Sequence, residues 1–277
     1  ARRFRALADR DSMTVDSVLE TVAAAGEFDS VSARSAESDA IDRILDGRDT
    51  DLEDGHRKVF AILLAGMNDS IPGDLRSDAW VIRQNALRLL AALAEFLDRF
   101  AGPRAANLAC RVEARVEHGV SREAVALTAI EGVGSGRADR LADAGLTSPA
   151  DVVDAGPETL SGAGMSDSVA ERIAEAARDC PRVDVDWGDF PDAIAVGENE
   201  LCEVGVAAAD GSARVGIRVT VNDVEMSATT TYLDGETTVP VGVFGPPDAD
   251  ELEFVVTVSF PDLPLMPVRA VRTVRVA

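Results

Sequence analysis

The sequence predicts a multidomain α and β chain: a helical bundle over 1–119, a glycine-cornered helical unit over 120–181, and a β-sandwich over 182–277. Three observations predict it. Apolar residues recur at helical spacing, with few strand formers, from Thr14 to His118. Two glycine-framed corners follow, at 132–134 and 162–164. After Pro181 the pattern changes to alternating runs divided by Asp-Gly and proline-rich turns. At 277 residues the chain can build more than one core.

In the first unit, Thr14-Val15-Asp16-Ser17 opens a helix with Val15, Val18, Leu19 and Val22 on one face, and Gly26 ends it. Asp39 to Leu45 is a short second helix. Phe60, Leu63, Leu64 and Met67 mark a third that stops near Ile71-Pro72-Gly73. Ser77 or Asp78 caps the longest helix, Ala79 to Phe100, where Ile82, Ala86, Leu89, Leu93, Phe96, Leu97 and Phe100 stand at core spacing. Gly102-Pro103 separates it from a last helix carrying Leu108, Val112 and Val116.

In the second unit, Ile130-Glu131-Gly132-Val133-Gly134-Ser135-Gly136-Arg137 joins two short helical patterns through a tight corner. Glycines at 132 and 134 permit the turn and the close approach of another backbone, and Ser135 can cap the next helix. The N–H groups of Gly134, Gly136 and Arg137 are then expected to point outward at a helix N-terminus, where an anionic oxygen is favoured. Arg137 and Arg140 flank the corner with positive charge, with Asp139 and Asp143 on the same helix. Leu160-Ser161-Gly162-Ala163-Gly164, followed by Val169, Ala170 and Ile173, echoes the first corner with a two-residue insertion. A corner that uses its glycines only to turn gives the same pattern, and the repeat favours the anion-binding alternative. In the third unit, strands are expected at Cys202 to Val206, Arg214 to Val219, Thr229 to Leu233, Leu252 to Val258 and Val268 to Val274. That spacing is of immunoglobulin-like kind.

The net charge is −22, from 49 acidic against 27 basic residues, and Lys58 is the only lysine. Such an acidic coat is expected of a protein from a halophilic archaeon, since carboxylates hold water and salt screens their repulsion. Acidity that answers to the solvent weakens, without removing, its usual testimony against nucleic acid. Cys110, Cys180 and Cys202 are odd in number and widely spaced, so a reducing cytoplasm is expected, and with only His56 and His118 no spacing suggests a metal. No signal peptide and no apolar run of membrane length is present. Starting at Ala1 within an arginine-bearing helical pattern, the chain reads as part of something larger.

The corner at 130–141 resembles the helix-hairpin-helix motif, a sequence-independent binder of nucleic-acid backbones. The order of bundle, hairpin unit and sandwich resembles the Sec-sixty-three homology unit at the C-terminus of Ski-two-like superfamily-two DEAD/DEAH-box helicases. Three stretches carry that likeness: Val59 to Leu75, the Asp74 to Phe100 helix, and the crossing from Cys180-Pro181 into Val183-Asp184-Val185. The resemblance implies that the long helix acts as a ratchet against single-stranded DNA or RNA and that the hairpin engages the leaving strand. The partners it implies are the nucleic acid and the protein's own helicase motor domains, with ATP and magnesium held by those missing domains and none in this fragment. A monovalent cation on hairpin carbonyls is implied by resemblance alone.

The site residues so expected are Gly132, Val133, Gly134, Ser135, Gly136, Arg137 and Arg140 in the hairpin and Trp80, Arg83 and Gln84 on the long helix, with Arg76 joining if that helix begins before Ser77. Trp80 as a core anchor is the competing alternative. No catalytic role is expected: Lys58 precedes Val59, so no phosphate-gripping loop is present, and 132–137 fails as a dinucleotide fingerprint. The fragment by itself is expected not to be an enzyme. The other reading is a protein-interaction module, in which sandwich and bundle dock partners and the hairpins merely join them. Five arginines against seventeen acids after Val183 favour that role for the sandwich.

Overall fold

The computed structural model describes residues 2–10 and 12–277. Among them, nine helices precede two sheets, one antiparallel and one antiparallel except for the short parallel pairing of Ala193–Ile194 with residues 275–276. Helix α1 spans Arg2–Ala8, α2 Val15–Ala23, α3 Ser38–Ile44, α4 Asp54–Gly66, α5 Arg76–Ala101 and α6 Pro103–His118. Thr14 caps α2 as expected: its hydroxyl accepts from the Ser17 amide while the Ser17 hydroxyl accepts from the Thr14 amide. The long helix α5 begins at Arg76, three residues before the sequence-based start. The 3₁₀ turn Gly73–Leu75 runs straight into it, and no side chain caps it. Its buried stripe is Ala79, Ile82, Ala86, Leu90, Leu93 and Leu97, with Leu90 in the place expected of Leu89; Phe96 is half-buried and Phe100 exposed.

Lys58 is fully buried among these helices. Its ammonium donates to the Ser32 carbonyl at 3.3 Å, to Glu37 at 2.9 Å and to Asp78 at 2.5 Å, tying the 32–37 loop, α4 and the first turn of α5 to one point. Three convergent acceptors suit a compact ammonium better than a planar guanidinium. That chemistry accounts for a lysine in a chain otherwise furnished with arginine.

After a five-residue 3₁₀ turn at Val125–Ala129 come α7 (Ser135–Asp143), α8 (Pro149–Gly162) and α9 (Asp167–Ala177), and α8 breaks at Gly156, φ 71°, just before Pro157. Val120, Leu127, Ile130, Val133, Leu141, Val152, Leu160 and Ile173 form the core of this unit.

Strands β1 (Arg182–Asp186), β3 (Asn199–Asp210) and β6 (Glu236–Phe244) make one sheet. Strands β2 (Ala193–Ile194), β8 (Val268–Val276), β7 (Glu251–Ser259), β4 (Ala213–Val221) and β5 (Val224–Leu233) make the other, in that order. Val204, Val206 and Val241 of the first share a core with Val215, Ile217, Val256 and Val258 of the second. This sandwich is fastened to the bundle. The buried Asn107 amide of α6 donates to the carbonyls of Phe260, Leu263 and Leu265 at 2.7–3.1 Å. Arg214 of β4 bridges Asp98 of α5 and Asp262, each at 2.7 Å. Gly216 of β4 lies so close to Pro103 that a Cβ there would stand 2.3 Å from the ring.

Candidate nucleic-acid interface

The hairpin is built by one turn that only glycine tolerates. The Val133 amide donates to the Ile130 carbonyl at 3.0 Å, and Gly132 between them has φ +82°. Val133 is buried beside Ile130, Ala138 and Leu141, so it anchors the corner and does not touch solvent. Gly134 is the residue before α7. Ser135 is the helix's first residue, so it does not cap it, and no side chain does.

The amides of Gly134, Ser135 and Gly136 have no intramolecular acceptor among the described residues, and all three residues are exposed. The Arg137 amide, expected to be free, donates to the Gly134 carbonyl at 3.0 Å, because the helix's hydrogen-bonding has already begun there. The open set is therefore shifted one residue toward the glycines. Arg137 folds its guanidinium onto the Gly132 carbonyl at 2.5 Å, and Arg140 donates to the Gly136 carbonyl at 2.8 Å and the Gly164 carbonyl at 3.3 Å, fastening the first corner to the second. Burial, with Asp143 and Asp69 nearby, raises the Asp139 carboxyl.

The second corner repeats the first at a constant interval of thirty-two residues, without the insertion expected. Gly164, φ +86°, matches Gly132; buried Met165 matches Val133; Ser166, before α9, matches Gly134; Ala170 and Ile173 match Ala138 and Leu141. Asp167 stands in the place of Ser135, and its carboxylate accepts from the Ser161 hydroxyl at 2.9 Å. The amides of Ser166, Asp167 and Ser168 are likewise without an acceptor among the described residues, but the acid at 167 repels a phosphate there, so the first corner is the better suited of the two to an anion.

On α5, Trp80 is 69% exposed, which excludes the core-anchor alternative; its companions on the solvent face are Val81, Gln84 and Arg88. Arg83, expected beside Trp80, instead donates to the Glu117 carbonyl at the end of α6, with its Nε buried, so it braces the two helices. Arg76 is exposed in the first turn and donates to the Ile71 carbonyl at 3.3 Å. Arg88, not singled out in the sequence, takes Arg83's place on the open face.

From Arg76 to Arg140 ten arginines stand against eight acids, in a chain of net −22. None of the ten forms an ion pair among the described residues; Arg76, Arg83, Arg88, Arg115, Arg137 and Arg140 reach neutral oxygens and Arg111 the Met266 sulfur. In the sandwich, by contrast, Arg214, Arg218, Arg269 and Arg272 are each paired with a carboxylate. The longest run of arginines without ion pairs is thus on the long helix, α6 and the hairpin.

Among the described residues no helix is long and apolar enough to cross a membrane. Burial pushes the Cys110 thiol up to about 12 and Cys180 to about 11, with Glu113 and Asp179 respectively adding to it, so neither is a poised nucleophile.

Among solved structures, the CARDB domain of a Pyrococcus furiosus protein, in complex with di-metal ions, is 20% identical; the match covers 35% of this chain and 89% of that one, with a TM-score of 0.31. A β-glucosidase from Listeria innocua in complex with glucose is 13% identical over 35% of this chain and 16% of that one, with a TM-score of 0.22. Likeness at that level carries nothing about function. No curated protein matches the chain. The family model of the Sec63 Brl domain matches residues 3–265. With that match running through bundle, hairpins and most of the sandwich, the chain belongs to the Sec63 Brl domain family.

Proposed function

We propose that this chain is the non-catalytic, nucleic-acid-binding and regulatory C-terminal cassette of an ATP-dependent DNA or RNA helicase of a halophilic archaeon. It grips the strand through the hairpin amides and the solvent face of the long helix, in the cytoplasm. Motor domains outside these 277 residues would supply ATP hydrolysis and hold the magnesium. The observation that carries the reading is the tract of ten arginines without ion pairs, running from Arg76 past the open amides at Gly134 to Gly136, with Trp80 exposed at its start. Aromatic and guanidinium faces stack on bases without reading sequence, and amides with positive flanks take phosphates.

The test is a titration of labelled single-stranded DNA and RNA in concentrated potassium chloride, comparing wild type with Gly134→Asp and with Trp80→Ala. Gly134 has an extended backbone and open space around a Cβ, so aspartate there adds charge without disturbing the fold. Trp80→Ala is expected to lose about 1–3 kcal/mol for the base it stacks, with the thermal melt unchanged. Wild-type affinity in both variants refutes the reading.

For the sandwich, protein docking is the second reading. Leu201 is 76% and Phe244 50% exposed on the outer face of the three-stranded sheet, and Gly242, opposite Leu201, leaves the surface between them uncovered.

A further inference from the structure

A second cluster of positive charge lies at the far end of α5, away from Trp80 and the hairpin. Phe96 and Phe100 lie with ring centroids 4.5 Å apart, and Phe4 of α1 meets Phe96 edge-on at 5.8 Å, which seats α1 against the end of α5. The guanidiniums of Arg5 and Arg99 stand over the Phe100 ring, 5.5 and 5.8 Å from its centroid. Arg2, Arg5, Arg99 and Phe100 are all exposed. Of the three arginines only Arg5 has a carboxylate partner among the described residues, Asp9 at 3.3 Å. Arg3 of α1 and the following Arg10 line a separate cleft together with the acids Glu20, Asp49 and Asp51.

A guanidinium laid on an aromatic ring keeps its in-plane N–H edge free, and that edge fits two phosphate oxygens. Because the ring already restricts Arg5 and Arg99, little side-chain freedom remains to be lost on binding. The position also continues the proposed strand path. Arg88 and Arg99 are eleven residues apart, so they share a face of α5 about 16 Å apart along its axis, and Arg88 adjoins Trp80 through Gln84. A strand laid along that face from Trp80 runs past Arg88 to Arg99, Arg5 and Arg2.

We infer that Arg2, Arg5 and Arg99, organised by Phe100, form a further binding site for the phosphates of single-stranded nucleic acid. The inference rests on the long helix being a strand-binding face. Arg2, Arg5 and Arg99 each make a phosphate contact, and Phe100, beneath Arg5 and Arg99, is a positioning residue.

The experiment measures binding of a labelled oligothymidylate to the full 277-residue chain across a potassium chloride series. For single strands the slope of log affinity against log salt is about −0.7 per phosphate neutralised. Arg2→Gln/Arg99→Gln is expected to make the slope shallower by about 1.4, with the thermal melt unchanged because both side chains are exposed. Arg269→Gln/Arg275→Gln removes the same charge from the sandwich and is expected to leave the slope as in wild type. Phe100→Leu, which keeps the arginines and removes the ring, is expected to weaken binding while preserving most of the slope. If the α1–α5 double variant and the sandwich control give the same slope, the inference is overturned. Loss of affinity in Gly134→Asp and Trp80→Ala in that same series would leave the proposed function standing; wild-type affinity in those variants too would remove both.

Discussion

Lys58→Met removes a charge and keeps almost the same volume, which isolates what the buried ammonium does. In the wild type its Nζ meets Glu37 at 2.9 Å and Asp78 at 2.5 Å, and both Lys58 and Glu37 are buried. Burial pushes the Glu37 carboxyl up, but the Arg34 amide and Lys58 together outweigh it and hold the group below its ordinary value. Without the lysine, burial is expected to prevail over what remains, the Arg34 amide bond at 2.8 Å and the exposed Arg34 guanidinium at 4.0 Å. Breaking a buried ion pair from one side costs about 3–5 kcal/mol. Asp78 is partly exposed and adds little to that figure. With an unfolding entropy of about 2.1 cal/mol/K per residue, a chain of this length that melts as one loses about 5–9 °C.

Differential scanning calorimetry in potassium chloride reads the shift, and pH gives it a sign. The variant's Glu37, raised by burial, takes up a proton in the folded state, so the deficit is expected to shrink as pH falls from neutral toward about 5. Lys58→Met/Glu37→Gln should recover much of the loss. A deficit under about 1 kcal/mol, or one equal at both pH values, refutes the account of Lys58 as the keeper of a buried carboxylate.

Two further outcomes follow from the same contacts. Gly216→Ala drives a Cβ to 2.3 Å from Pro103; overpacking of this kind is expected to cost about 1–3 kcal/mol, and limited proteolysis should show the junction between α6 and β4 opening first, whereas unchanged cleavage would show that the contact gives way freely. In acid, Asp78 and Asp262 are held below their ordinary values by the bonds from Lys58 and Arg214, and Glu37 by the balance described above. Depressed carboxyls stabilise the fold fully above the ordinary carboxylate range, about 4, and the contribution is lost as pH falls through the folded values; urea midpoints should drop steeply below about pH 4, and Asp262→Asn should flatten part of that drop.

Much of the fold was legible because local rules and packing agree. Thr14 and Ser17 cap where their types suggest, and the five alternating strands read from the sequence all form. The long helix was read short because Ser77 and Asp78 look like caps. Asp78 is instead drawn to Lys58, and the preceding 3₁₀ turn supplies the start. Strand β6 escaped notice because Pro240 and Gly242 interrupt its pattern; at a sheet edge proline removes no ladder bond.

In the hairpin the sequence located the corner but not its register. Which amides stay open depends on where helical bonding begins, and that is set by Gly134, not by Ser135. Exposure of Trp80 and the recruitment of Arg83 by the end of α6 are tertiary outcomes that no spacing announces. The Phe4, Phe96 and Phe100 cluster joins residues more than ninety positions apart, and only the packing of α1 on α5 brings them together.

The seam between sandwich and bundle has a mechanical consequence. Asn107 meets three carbonyls of one loop, Arg214 spans two carboxylates, and Gly216 lets a strand rest on Pro103 at the very corner where α5 ends and α6 begins. A body clamped at a helix's end by a hydrogen-bonded loop, an ion bridge and a close backbone contact does not swing independently of that helix. Torque applied to the β domain is delivered to α5 as to a blade gripped by its handle, and a pull along the helix is felt at the sandwich surface.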